Sequence, residues 1–199
     1  MQRKLLPAFV LILSLLLIPL NPAEAAMKYA FPVAGCTVTY ARAHHNYPAT
    51  DILAKKGCKF VASTSGVIDE VNRIDKWNGK TNLGADRSGL YVSMIGDDGV
   101  RYYGSHLSKI ADGIEPGVQV VVGDLLGFIG ASGDARGTAP HLHYGISWPT
   151  PPDIWWVRRG EIFPWPYLDK WKAGLNAYPA KAVAAKKAKV GEVPEQVGY

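Results

Sequence analysis

The stretch Leu90–Tyr103, LYVSMIGDDGVRYY, decides how the rest of the chain is read. Two runs rich in β-branched and aromatic residues flank Gly96-Asp97-Asp98-Gly99, and that layout predicts a β-hairpin. Outward from it, the same pattern recurs in short pieces punctuated by glycine. Thr37–Tyr40 and Gly66–Val71 are strand candidates on the amino side. Val118–Val122 and Leu125–Gly130 are candidates on the carboxyl side, parted by a Gly-Asp turn. No segment from Phe31 to Ser147 keeps the three-four periodicity of an amphipathic helix. Several short strands at near-regular spacing predict a mainly β domain over residues 26–147, an antiparallel sandwich or open barrel.

Composition changes at both edges of this region. Five of the six tryptophans lie between Trp148 and Trp171. Prolines exclude a long helix in the first half of that segment, and Tyr167–Leu175 is long enough for a short one. Residues 148–178 therefore read as an aromatic extension packed on the β-core through its large rings. Residues 179–199 are rich in Ala and Lys and read as a flexible tail. At the other end Arg3 and Lys4 precede an apolar run from Leu5 to Leu20, and Ala23-Glu24-Ala25 follows. That is the layout of a secretory signal peptide over residues 1–25, cleaved after Ala25. The expected mature protein is exported, with no transmembrane span.

Export bears on Cys36 and Cys58, the only cysteines. An oxidising compartment permits a disulfide between them, whereas two cysteines without C-x-x-C spacing make a poor zinc site. The formal charge of +5 becomes +4 without Arg3, Lys4 and Glu24, leaving 20 basic and 16 acidic residues. A modest positive charge outside the cell suits an anionic polymer such as a bacterial wall. Nucleic acid is not an expected partner, because no basic cluster interleaved with aromatics occurs in the body of the domain.

All five histidines fall in three places: His44-His45, His106, and His141 with His143. On a strand, residues i and i+2 point to one face, so His141 and His143 share a side. A hydrolytic zinc needs three protein ligands and an open position for water. It also needs a base and a donor for the developing oxyanion nearby. Asp51, in ARAHHNYPATDI, and the histidines supply these residue types, and Tyr103 or Tyr47 could add an oxyanion donor.

The order of motifs carries a resemblance. His-to-Asp comes first, then Gly66-Val67, Tyr103-Gly104-Ser105-His106-Leu107, the G-D-x-x-G-x-x-G run from Gly123 to Gly130, and Ala139-Pro140-His141-Leu142-His143. From about His45 to Ile146 the chain resembles the lysostaphin-type zinc endopeptidases of bacterial peptidoglycan. The resemblance implies a compact antiparallel β-fold with a groove on one face, and one zinc per chain. It implies His45, Asp51 and His143 as zinc ligands, His106 and His141 as the catalytic pair, and peptidoglycan peptides as substrate. A monomer is expected.

The chain departs from the family in its first motif. Five residues separate His45 from Asp51 where three are usual. From His44 the spacing resembles a second group of zinc peptidases, with the motif H-x-x-G-x-A-x-D and Tyr47 in place of its Gly. His44 is therefore the alternative first ligand. The alternative function is a non-catalytic domain of the same fold that binds the wall or activates other wall hydrolases. That class lacks zinc ligands, whereas every site position is filled here.

Overall fold

The computed structural model describes residues 28–196; the expected signal peptide lies outside them. The hairpin forms as the sequence predicts, with β6 (Tyr91–Gly96) paired antiparallel to β7 (Arg101–Ser105). Its turn closes through Gly99 N–H to the Gly96 carbonyl at 2.8 Å. The other strands are β1 (Val33–Ala34), β2 (Thr39–Tyr40), β3 (Thr50–Leu53), β4 (Lys59–Val61), β5 (Gly66–Asn72), β8 (Leu107–Ile110), β9 (Gln119–Val120), β10 (Leu125–Ile129) and β11 (His141–Ser147). They make a four-stranded sheet, β1-β4-β10-β8, and a seven-stranded sheet, β2-β3-β11-β7-β6-β5-β9. All pairings are antiparallel. The strand expected over 118–122 shrinks to two residues. Asp124 accepts the Val121 N–H at 2.8 Å, which turns the chain early and leaves Val121 exposed.

Alternation sorts the large sheet into two faces. Ile52, Val92, Tyr102, Leu142 and Tyr144 pack inward with Phe60, Leu107, Leu126 and Ile129 of the small sheet, all buried in one cluster. Burying each such side chain contributes about 1.5–3 kcal/mol. The opposite face is polar. Register puts Asp51, His143 and Ser105 in one row across β3, β11 and β7, and Gly145, Tyr103 and Ser93 in the next.

The chain after Ser147 covers part of that polar face. Helix α1 (Trp155–Arg158) brings the Arg158 guanidinium onto Glu70 and 4.5 Å above the Tyr91 ring. Arg101 pairs with Asp69 at 2.8 Å and donates to Thr150. These buried cations are therefore paired, as burial of charge demands. Helix α2 (Trp165–Lys172) buries Leu168 and Trp171, and the Trp171 ring stacks on Tyr29 at 5.3 Å. Residues 28–35 are thus built into the fold: Tyr29 is buried, and Val33 and Ala34 pair with β4.

The flexible tail expected from composition is, within the described residues, a docked helix. Helix α3 (Ala180–Val190) buries Val183. Beyond it the carbonyls of Glu192 and Pro194 accept the indole N–H groups of Trp148 and Trp156, at 2.8 and 2.9 Å. Alanine helix propensity and these long-range contacts outweigh the solvating lysines. Cys36 and Cys58 form the disulfide, with S–S 2.04 Å and Cα–Cα 6.0 Å, bracketing the segment that carries His44, His45 and Asp51. Among the described residues no helix is long and apolar enough to cross a membrane.

Candidate metal centre and cleft

Asp51 and His143 are directly opposite in the β3–β11 ladder. Ile52 and Leu142 turn into the core, so Asp51 and His143 turn out together, with His143 Nδ1 2.9 Å from Asp51 Oδ1. His44 comes from the bent segment before β3, and its Nε2 stands 3.6 Å from the same oxygen. Its ring centroid is 5.0 Å from that of His143. His45 is exposed and edge-on to His44, and donor atoms of His44, His45 and Asp51 all lie within 4.8 Å of one another.

Backbone carbonyls fix the tautomers, because a carbonyl only accepts. His44 donates Nδ1–H to the Tyr47 carbonyl at 3.1 Å, which turns the Nε2 lone pair toward Asp51. His143 does the reverse, donating Nε2–H to the Arg159 carbonyl at 3.0 Å and aiming the Nδ1 lone pair at Asp51. Burial, then the neighbouring His143, lower the His44 pKa to about 4. For Asp51, burial acts to raise the pKa, but the close approach of the His143 ring, with His44 and His141, outweighs it and holds the carboxyl below its usual range.

Two imidazole lone pairs and a carboxylate thus face one another, and acceptors so arranged call for a cation between them. Two ligands at 2.0–2.1 Å from a tetrahedral zinc are about 3.3 Å apart, and the contacts to Asp51 are 2.9 and 3.6 Å. The donor set and its spacing fit zinc.

His106 follows β7 in the left-handed region, φ 63°, which His adopts more readily than most residues. It donates Nδ1–H to the Ser132 carbonyl at 2.9 Å. Burial, then the charges of His143 and His141, lower its pKa to about 3. His141 donates Nδ1–H to the Ala139 carbonyl at 2.9 Å. The two rings are 4.9 Å apart, each with Nε2 free of that bond. A cleft of about 430 Å³ runs over these groups, walled by Tyr47 and Arg159 on the metal side, with Arg87, Asp134 and Thr138 also lining it.

The structure therefore brings His44, His45, Asp51, His106, His141 and His143 to one cleft. It does not bring Tyr103, which is fully buried beneath the site. No residue of the segment 28–35 lines the cleft, and neither does any tryptophan of the extension. Sequence reasoning missed the carbonyls of Tyr47, Ser132, Ala139 and Arg159, since a backbone acceptor has no residue signature. It also missed the Arg159 side chain, hidden among the aromatics.

The model of Peptidase family M23 matches residues 45–152. No curated protein matches the chain. Among solved structures, the fold is similar to a candidate glycyl-glycine endopeptidase lytM from Ruminococcus gnavus, at 23% identity and TM-score 0.57, covering 74% of this chain and 62% of that one. It is similar to the antimicrobial peptidase lysostaphin from Staphylococcus simulans, at 23% identity and TM-score 0.52, covering 72% and 55%. A candidate peptidase M23 from Pseudomonas aeruginosa aligns at 22% identity and TM-score 0.51, covering 70% and 50%. The chain thus spans between half and two thirds of these proteins.

Proposed function

The chain belongs to peptidase family M23, and from that premise we propose that it is a zinc-dependent endopeptidase hydrolysing peptide stems or cross-links of bacterial peptidoglycan. The observation that carries this reading is the convergence of His44 Nε2, His143 Nδ1 and Asp51 Oδ1 beside a second pair of imidazoles.

His44, Asp51 and His143 would hold the metal. The 3.6 Å approach and inward-turned Nε2 favour His44 over the exposed His45 as first ligand. Zinc bound there supplies a Lewis acid and brings the pKa of a bound water toward neutrality. His141 takes the water proton at Nε2, its ring held by the Ala139 carbonyl. His106, its ring 4.9 Å away and held by the Ser132 carbonyl, is the second imidazole beside that water. Once protonated, the His141 Nε2–H serves the developing oxyanion and then the leaving amine. The His44 and His143 side chains are buried while Asp51 stays partly exposed, and the open cleft admits an extended peptide.

The Cys36–Cys58 disulfide and the leader-like amino terminus support action outside the cytoplasm. Cleavage of glycine cross-bridges and cleavage of D-alanyl–diaminopimelate links are both consistent with this reading.

The test is to purify the protein without chelator, then measure zinc content and release of new amino termini from purified peptidoglycan, with His143→Ala as control. One zinc per chain and chelator-sensitive release, both lost in the control, are expected, and fragment masses would name the bond. A protein that binds zinc but cleaves no wall preparation would overturn the endopeptidase reading.

A further inference from the structure

Residues 154–160 lie beyond the 45–152 span matched by the family, yet they touch one histidine assigned above to the metal, His143, and the loop that holds the other, His44. We propose that Arg159 is a positioning residue of the metal centre, its carbonyl orienting His143 and its guanidinium bracing the loop that orients His44. The inference rests on the reading of His44, Asp51 and His143 as ligands.

The two histidines use opposite ring nitrogens toward Asp51, so each needs its other N–H held. The Arg159 carbonyl holds His143 Nε2–H at 3.0 Å. The Tyr47 carbonyl holds His44 Nδ1–H at 3.1 Å. These two acceptors are mechanically joined. The Arg159 guanidinium carbon lies 4.8 Å above the centroid of the Tyr47 ring, in a cation–π contact. One residue on, Gly160 backs onto the same loop: a Cβ there would stand 2.2 Å from the Pro48 carbonyl oxygen.

The brace answers a need created by the long first motif. Tyr47 and Pro48 belong to the stretch that lengthens the His-to-Asp separation, and residues 41–49 form no strand or helix of their own. A loop without ladder partners does not hold a carbonyl in place by itself. The brace, by contrast, is anchored to the site strand. Glu161 and Ile162 donate their N–H groups to the Ile146 carbonyl at 3.0 and 3.2 Å. Gly145 leaves room for the approach, since a Cβ there would be 2.3 Å from the Arg159 oxygen. Both halves of the arrangement therefore register against β11, the strand that carries His141 and His143.

Groups that orient a ligating histidine change metal affinity by about 10–100-fold when lost. Zinc dissociation constants, measured by competition with a chromophoric chelator, are the readout, together with the visible spectrum of the cobalt-substituted protein. Arg159→Ala and Tyr47→Ala should each weaken zinc about 10-fold, the double variant little more than either single, and Arg159→Lys should recover part of the loss. Gly145→Ala, which pushes the carbonyl away from His143, should weaken zinc and shift the cobalt bands even with the Arg159 side chain intact. The unfolding midpoint of each apo-protein separates this from packing, because a purely structural contact lowers that midpoint without weakening zinc in the folded fraction. Zinc affinity within about twofold of wild type in Arg159→Ala and Gly145→Ala would overturn the inference while leaving the metal site standing. If one variant does not fold, the other and Tyr47→Ala decide by the same criterion. A wild-type chain that takes up no zinc would overturn the ligand reading and this inference with it.

Discussion

Replacing Gly133 by alanine should disable the proposed chemistry without emptying the metal site. Gly133 has φ 68°, and a Cβ there would lie 2.0 Å from the Arg87 carbonyl oxygen and 2.5 Å from the Gly89 nitrogen. Gly89 is itself left-handed, φ 58°, so two loops meet backbone to backbone at this point. The left-handed conformation costs an alanine about 1–2 kcal/mol, and relieving the overlap costs about 1–3 more. Against a typical domain stability of about 5–15 kcal/mol, most of the protein stays folded. The loops must separate by roughly 1 Å, since real contacts of this kind stay beyond about 3 Å. The residue displaced first is Ser132, whose carbonyl holds His106 Nδ1 and whose hydroxyl accepts the Leu90 N–H at 2.9 Å. A misplacement of about 1 Å at a reacting group costs on the order of 100-fold in rate. The expected result is therefore a kcat down about 100-fold with one zinc per chain retained, assayed as amine release from peptidoglycan alongside urea unfolding. A variant that loses the stability but keeps kcat within threefold of wild type would refute the idea that Ser132 positions His106.

Other perturbations probe separate parts of the structure. His141→Ala should keep its zinc and lose about 10²–10⁴ in rate; wild-type turnover would remove it from the proposed mechanism. Reducing the Cys36–Cys58 bond, which spans 22 residues, should cost about 3 kcal/mol in urea unfolding, with no change if the denatured chain is already constrained there. For Asp75, burial acts to raise the pKa, but the Gly133 N–H, Arg136 and the Trp77 N–H outweigh it and hold the carboxyl below its usual value. A depressed folded-state pKa contributes stability above the unfolded value near 3.9 that is lost as pH falls through the folded one. Asp75→Asn should accordingly destabilise at pH 7 and converge on wild type at pH 2, and a constant difference across that range would contradict the assignment.

Much of this was legible in the sequence, for physical reasons that differ by element. The β6–β7 hairpin was legible because its alternation and turn residues are local. Strand parity alone placed His141 and His143 on one face, and motif order pointed to Asp51 and His106. The choice between His44 and His45 was not legible, since it turns on the path of a loop with no periodicity. Tyr103 stood in the right motif, but the register of β7 against β11 buries it. The docking of the tail was not legible, because Ala and Lys look solvated until two indole donors, 44 and 38 residues before the carbonyls they bond, are seen to need acceptors. Arg159 reaches His143 through a carbonyl, which any residue type carries.

Those two indoles make the end of the chain a spectroscopic reporter. Trp148 is 2% exposed, and it and Trp156 give their N–H groups to the segment just past α3. Lifting α3 away would hydrate both rings and move their emission to longer wavelength, while the sheets and the cleft kept their ladder bonds. Fluorescence would then follow the undocking of the carboxyl-terminal helix separately from global unfolding, with far-ultraviolet circular dichroism tracking the latter.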